Sequence, residues 1–142
     1  MKAPTFELPY LDNPDQTFNL SDLLGEKVIV LTFWASWCPD CARDLPKKEQ
    51  FYKTMRHNNI EMMTINVSGR ERDMSEAHKF QEQFLTQPVL QDRGREIYDL
   101  YQADGVPTTI VIDLDGNIVG HFGDKDDFVE VIKIIGDYFP AQ

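Results

Sequence analysis

The run Val28-Ile29-Val30-Leu31-Thr32-Phe33-Trp34 constrains this chain more than any other stretch. It is almost continuously apolar, so a strand built from it buries both of its faces. Such a strand needs cover above and below, which a sheet with helices on both sides supplies. The rest of the chain has the elements for that cover. Ala42 to His57 reads as a helix with Leu45, Phe51, Tyr52 and Met55 near helical spacing, and Pro46 within it is expected to kink it. Ile60 to Val67 reads as a second strand, and Ser75 to Leu85 as a second helix with Ala77, Phe80 and Phe84 on one side. Val89-Leu90 is a short strand, and Glu96 to Tyr101 a short helix carrying Ile97, Leu100 and Tyr101.

Toward the C-terminus, Thr108 to Leu114 is a β-branched run, Asp115-Gly116-Asn117 a tight turn, and Ile118 to Phe122 the return strand of a hairpin. A last helix is expected from about Lys125 to Phe139, with Phe128, Val129, Ile132 and Ile135 facing inward. Near the N-terminus, Thr17 to Leu20 alternates, and Ser21 offers an N-cap for a brief helical turn ended by Gly25. Strand, helix, strand, helix, hairpin and closing helix imply one α/β domain over residues 1–142, a central mixed β-sheet with helices on both faces.

The chain has two cysteines, Cys38 and Cys41. A bridge between them closes too short a loop to stabilise a fold, so the pair suits chemistry better than scaffolding. It follows a buried strand and opens a helix, which places Cys38 at the helix N-terminus. There, unpaired backbone N–H groups and the positive end of the dipole favour a thiolate. Cys41, one turn on, is placed to resolve a mixed disulfide, and Pro39 suits the first helical turn because its missing N–H has no partner to lose there. A closed zinc site needs four ligands; there is no second cysteine pair, and His57, His78 and His121 are scattered, so no metal and no cofactor is expected. A net charge of −10 is repelled by phosphate backbones, which argues against nucleic-acid binding.

Phe33-Trp34-Ala35-Ser36-Trp37-Cys38-Pro39-Asp40-Cys41, Pro46 after it, and Gly105-Val106-Pro107-Thr108 before a strand together resemble the thioredoxin superfamily. Ala3-Pro4-Thr5-Phe6 with Phe18-Asn19-Leu20-Ser21-Asp22-Leu23 resembles the opening of its TlpA/ResA-like thiol–disulfide oxidoreductases, which overlap the AhpC/TSA-like group. The resemblance covers nearly the whole chain. It implies a single thioredoxin-like domain with an N-terminal extension and a central insertion, the latter between Ser68 and Tyr101. It implies a cis bond before Pro107 beside the dithiol, with Val106 presenting its backbone to an extended substrate. It also implies that Trp37 shields the site or contacts partners; simple packing is the other reading.

Thr32 departs from the buried aspartate of thioredoxins that serves the resolving cysteine. Asp44, three residues after Cys41 and able to share its helix face, matches the acidic residue that the TlpA/ResA-like family is thought to use for proton transfer. The alternative is a carboxylate that merely complements the helix dipole. Asp40, between the cysteines, is expected to raise the Cys38 pKa and make the couple more reducing. The charged loop Ser68 to Asp73 is either a partner contact or solvated surface.

The expected activity is reduction of disulfides in protein substrates, fed by an upstream thiol electron donor, by a chain that works as a monomer. The resemblance points to extracytoplasmic targets, apocytochrome c thiols among them. No secretory signal is visible after Met1-Lys2-Ala3-Pro4, which leaves a cytosolic protein or one whose export signal or anchor is absent from this sequence. A thiol peroxidase is the alternative, set back by Ala35, where peroxiredoxins place Thr or Ser ahead of the reactive cysteine; a non-enzymatic binding module on the same scaffold is another.

Overall fold

The computed structural model describes residues 1–55 and 59–137. The expected helix ends at His57 and Phe139 lie outside the described residues, as does the Met55 side chain. A five-stranded sheet in the order β5-β4-β3-β6-β7 forms the centre. Its strands are β3 (Val28–Trp34), β4 (Ile60–Asn66), β5 (Val89–Gln91), β6 (Thr108–Ile112) and β7 (Ile118–Phe122). β3, β4 and β5 are parallel, while β6 runs antiparallel to β3 and β7 antiparallel to β6. Every residue of β3 is buried, as its two-faced apolar pattern requires.

Helices α1 (Pro39–Met55) and α4 (Phe128–Asp137) enclose the smaller of two apolar clusters, in which Phe51 and Tyr52 meet Val30, Met62, Val111, Val131 and Ile135. The larger cluster gathers Ile29, Leu31 and Phe33 with α2 (Met74–Phe84), α3 (Glu96–Leu100) and an N-terminal hairpin of β1 (Glu7–Pro9) and β2 (Thr17–Asn19). That hairpin covers the β5 edge, with a bridge between Tyr10 and Leu90 and a hydrogen bond from Leu11 N to Val89 O of 2.9 Å. Covering the edge removes a row of open backbone groups that would otherwise pair with other chains.

Several local expectations shift. Asn19, not Ser21, caps the first helical turn, its Oδ1 accepting from Ser21 N at 3.1 Å. α1 starts at Pro39, upstream of Ala42, because Pro39 is preset for a first helical position. Pro46 sits inside an unbroken α1. α4 starts at Phe128, so its inward stripe is Val131 and Ile135, while Val129 and Ile132 face solvent; Leu100 of α3 is also exposed. At the β6–β7 hairpin, Asp113 Oδ1 accepts from Asp115 N and Asn117 N, both at 2.9 Å, and Gly116 takes the left-handed conformation at φ +79°. β1 escapes sequence reading: it is three residues long, ends in proline and is defined only by its partner.

Candidate active site

The carboxyl end of β3 hands the chain through Ala35-Ser36-Trp37 to the N-terminus of α1, and this junction carries the dithiol. Cys38 occupies the capping position. Its Sγ accepts from the Cys41 backbone N–H at 3.1 Å, the bond a serine or aspartate oxygen makes at a helix start. Its carbonyl accepts from Ala42 N at 3.1 Å. In the protonated form the Cys38 thiol donates to Val106 O at 3.3 Å, across the cleft from the cis Val106-Pro107 bond. The topology thus brings residues 38 and 106 together because β3 and β6 are antiparallel neighbours, with Phe33 opposite Thr108.

The two thiols are driven apart electrostatically. Cys38 is lowered to about 7 by a hydrogen bond from the Cys41 side chain and then by the Cys41 amide and the Arg70 guanidinium, against burial and Asp124. Cys41 is fully buried, and burial first, then its hydrogen bond to Cys38 and the Asp44 charge, push its pKa well up. The Cys38 thiol therefore ionises first, and the Cys41 thiol keeps its proton.

The carboxylate that chiefly opposes the Cys38 thiolate is therefore Asp124, far along the sequence, and not Asp40. Asp40 is half-exposed and paired with Arg43. Asp44 does not stand alone either. It forms an ion pair with Lys48, a side chain only 2 % exposed, and Lys48 also donates to Thr109 Oγ1. Thr109 lies beside Thr32 across the β3–β6 ladder, so the charged pair rests over the row where thioredoxins carry a strand aspartate. Burial lowers the Lys48 pKa, and Asp44 works against that shift.

Lys48 escaped the sequence reading, because a lysine on a helix normally points to water; the signal available was its position four residues after Asp44, on the same face.

Glu71 was also missed as a structural clamp. Its carboxylate accepts from Ser36 N at 2.7 Å, Ser36 Oγ at 2.6 Å and Asn66 Nδ2 at 2.7 Å, fixing the loop ahead of Cys38. Trp37 is 38 % exposed, and its indole N–H donates to Arg70 O. Trp34 is core, stacked on Phe80 with centroids 4.7 Å apart. Among the described residues no helix is long and apolar enough to cross a membrane.

The family model for the AhpC/TSA family matches residues 1–121. The chain is similar to the thiol-disulfide oxidoreductase ResA of Oceanobacillus iheyensis, 35 % identical over 82 % of this chain and 60 % of that protein. It is likewise similar to the ResA of Bacillus subtilis, 31 % identical over 82 % of this chain and 63 % of that protein. The chain thus spans less than two thirds of the length of these curated relatives. Its fold overlays on the crystal structure of a thiol:disulfide interchange protein, DsbE, from Chlorobium tepidum with a TM-score of 0.83, at 26 % identity over 96 % of this chain and 94 % of that one.

Proposed function

This chain belongs to the AhpC/TSA family, and from that premise we propose that it is a thiol–disulfide oxidoreductase that reduces disulfides of protein substrates through Cys38 and Cys41. The observation that carries the reading is the pair of contacts on Cys38 Sγ: the Cys41 amide at 3.1 Å and Val106 O at 3.3 Å, at the start of a helix and beside a cis proline. The names of the ResA and DsbE relatives support it.

The Cys38 thiolate attacks one sulfur of the substrate disulfide. The Cys38–substrate S–S bond forms, the substrate's own S–S bond breaks, and the departing sulfur leaves as a thiolate that takes a proton from water. Cys41 then loses its proton and attacks Cys38 Sγ, forming the Cys38–Cys41 disulfide and releasing the second substrate thiolate. Two electrons pass from the dithiol to the substrate. An upstream protein dithiol restores the reduced pair by the reverse exchange.

Asp44, one helical turn after Cys41 and close enough for its charge to raise the pKa of that thiol, receives the Cys41 proton, oriented by Lys48. Pro107 and Val106 border the substrate groove, with Trp37, Pro39 and Asp40 on its rim. The Cys38 pKa of about 7 matches the value typical of thioredoxin rather than the value near 3.5 of DsbA, which favours a reductase over an oxidant. In this reading the chain acts as a monomer outside the cytoplasm on protein targets such as apocytochrome c, a reading that the resemblance to the TlpA/ResA-like family supports.

The test is a Cys41→Ser variant expressed in the native host. It accumulates as a mixed disulfide through Cys38, and mass spectrometry identifies the bound protein. In parallel, the wild type accelerates insulin reduction by dithiothreitol and Cys38→Ala does not. Absence of both effects overturns the proposal, and rapid peroxide consumption instead would assign the chain to the peroxidases.

A further inference from the structure

Arg70 acts on Cys38 from a different element, so its long side chain has to be held in place. It ends the turn Ser68–Arg70, and its guanidinium carbon lies 5.5 Å from the Trp37 ring centroid and 5.8 Å from that of Tyr98. One guanidinium nitrogen donates to Tyr98 Oη at 3.0 Å, the one hydrogen bond this group makes among the described residues. Among those residues it forms no ion pair. Carboxylates are nevertheless close in the chain. Glu71, Asp73 and Glu76 follow Arg70 and keep their charge while accepting from Ser36, Ser75 and Lys79, and exposed Arg72 stands among them. An untethered arginine has several rotatable bonds and is drawn to such groups. Arg70 rests instead on a ring face and a hydroxyl, contacts that a planar guanidinium makes well.

Tyr98 is the fixed partner of the two rings. It is 2 % exposed on α3, edge-on to Phe33 with centroids 6.1 Å apart, and buried Asp92 accepts from its amide at 3.0 Å. Phe33 belongs to β3, the strand whose end leads into Cys38, so Tyr98 is anchored to the same strand that delivers the thiol. Trp37 by contrast sits half-exposed on the loop. Arg95 also stacks on Tyr98 at 5.1 Å, but it is paired with Asp99 at 3.2 Å. The groups that act on the Cys38 sulfur are Cys41 on α1, Arg70 on its turn and Asp124 ahead of α4, and Arg70 is the cation among them.

We propose that Tyr98 is a positioning residue for the exchange reaction: its hydroxyl and ring hold the Arg70 guanidinium where the positive charge reaches the Cys38 sulfur. The thiolate that attacks the substrate disulfide is thereby favoured, and Tyr98 contributes to its reactivity through Arg70. Without the hydroxyl, the guanidinium moves toward the neighbouring carboxylates. The inference rests on Cys38 as the nucleophile of the proposed reductase.

The test is the pH dependence of Cys38 alkylation by iodoacetamide in the reduced full chain, with the modified cysteine identified by mass spectrometry. Tyr98→Phe keeps the ring and its contact with Phe33 and removes the hydroxyl alone. It moves the midpoint upward and slows alkylation at about pH 6 by about two- to threefold, a tenfold change corresponding to one pKa unit. Arg70→Gln acts in the same direction. Adding Tyr98→Phe to Arg70→Gln changes nothing further, because the two residues act in series. The gap between wild type and Tyr98→Phe narrows in about 0.5 M salt. A Tyr98→Phe protein that unfolds at lower urea but alkylates with the wild-type profile has a purely structural tyrosine, which overturns the inference. An equal shift in the Arg70→Gln background also overturns it, since Tyr98 then acts by another route. Insulin reduction by the wild type decides the proposed function separately. If the wild type reduces insulin and Tyr98→Phe shows no shift, the inference alone fails. If the shifts appear and insulin is not reduced, the reductase reading fails while the control of Cys38 by Tyr98 stands.

Discussion

At the scale of single residues, the site works by giving two identical side chains opposite environments. Cys38 has donors around its sulfur, and Cys41 has burial and a carboxylate. Below pH 7 Cys38 is mostly thiol, and above it mostly thiolate, so its reactivity rises through that range. Alkylation by iodoacetamide should therefore accelerate with a midpoint near pH 7, and a midpoint at the ordinary thiol value would contradict the site's electrostatics. Arg70→Gln removes a favourable charge and moves that midpoint upward, and Arg70→Lys restores part of the difference.

The Asp44–Lys48 pair yields a second prediction. Removing the carboxylate strands a charge that is 2 % exposed, whereas removing the ammonium leaves a carboxylate still partly in water. Asp44→Asn should thus cost about 3 kcal/mol in urea unfolding, and Lys48→Met clearly less, because breaking a buried pair is dear mainly for the partner left behind. Equal losses would mean that the two groups are not a buried pair in solution.

Among the elements, the short helical turn Ser68–Arg70 matters more than its length implies. It carries Arg70 to the site, and its place is set by a close backbone crossing. Gly69 N donates to Gly94 O at 2.8 Å, and a Cβ on Gly69 would meet the Gly94 carbonyl carbon at 2.8 Å and Arg95 Cγ at 2.7 Å. The arginine side chain can move aside, but the backbone cannot. Gly69→Ala should destabilise the protein by about 1–3 kcal/mol and lower Cys38 reactivity at neutral pH, read by chemical denaturation and alkylation of the same sample. α3 is anchored in a comparable way. Asp92 is buried, accepts from Ile97 N at 2.9 Å and Tyr98 N at 3.0 Å, and so fixes the tyrosine on which Arg70 rests. Its pKa is raised by burial, against those amide bonds.

For the whole molecule, the net charge opposes compaction, because a folded surface crowds the acidic groups that an unfolded chain separates. Raising sodium chloride from about 0.01 to 0.5 M shortens the Debye length several-fold. It should raise Tm at neutral pH, and a fall in a thermal scan would show that attractive surface pairs outweigh the repulsion. The exposed ion pairs Lys79–Glu76, Arg95–Asp99 and Lys133–Glu130 contribute too little to reverse the sign.

The sequence by itself determined the layered α/β architecture, the strand–helix junction at Cys38 and the hairpin at Gly116, because each depends on local periodicity or on a backbone conformation few residues tolerate. It also marked the dithiol, since two cysteines one helical turn apart have one geometry in common wherever they occur. What surrounds the dithiol was decided by the tertiary structure. Lys48, Glu71 and Asp124 look like ordinary surface charges in sequence, and the exposed Val129, Ile132 and Leu100 look like core. Charge–charge effects depend on through-space distance and burial, neither of which is a property of sequence spacing. Hence Asp40, two residues after Cys38 in the chain, pairs with Arg43, while Arg70 and Asp124, remote in the chain, are the charges that act on the thiol the sequence had already singled out.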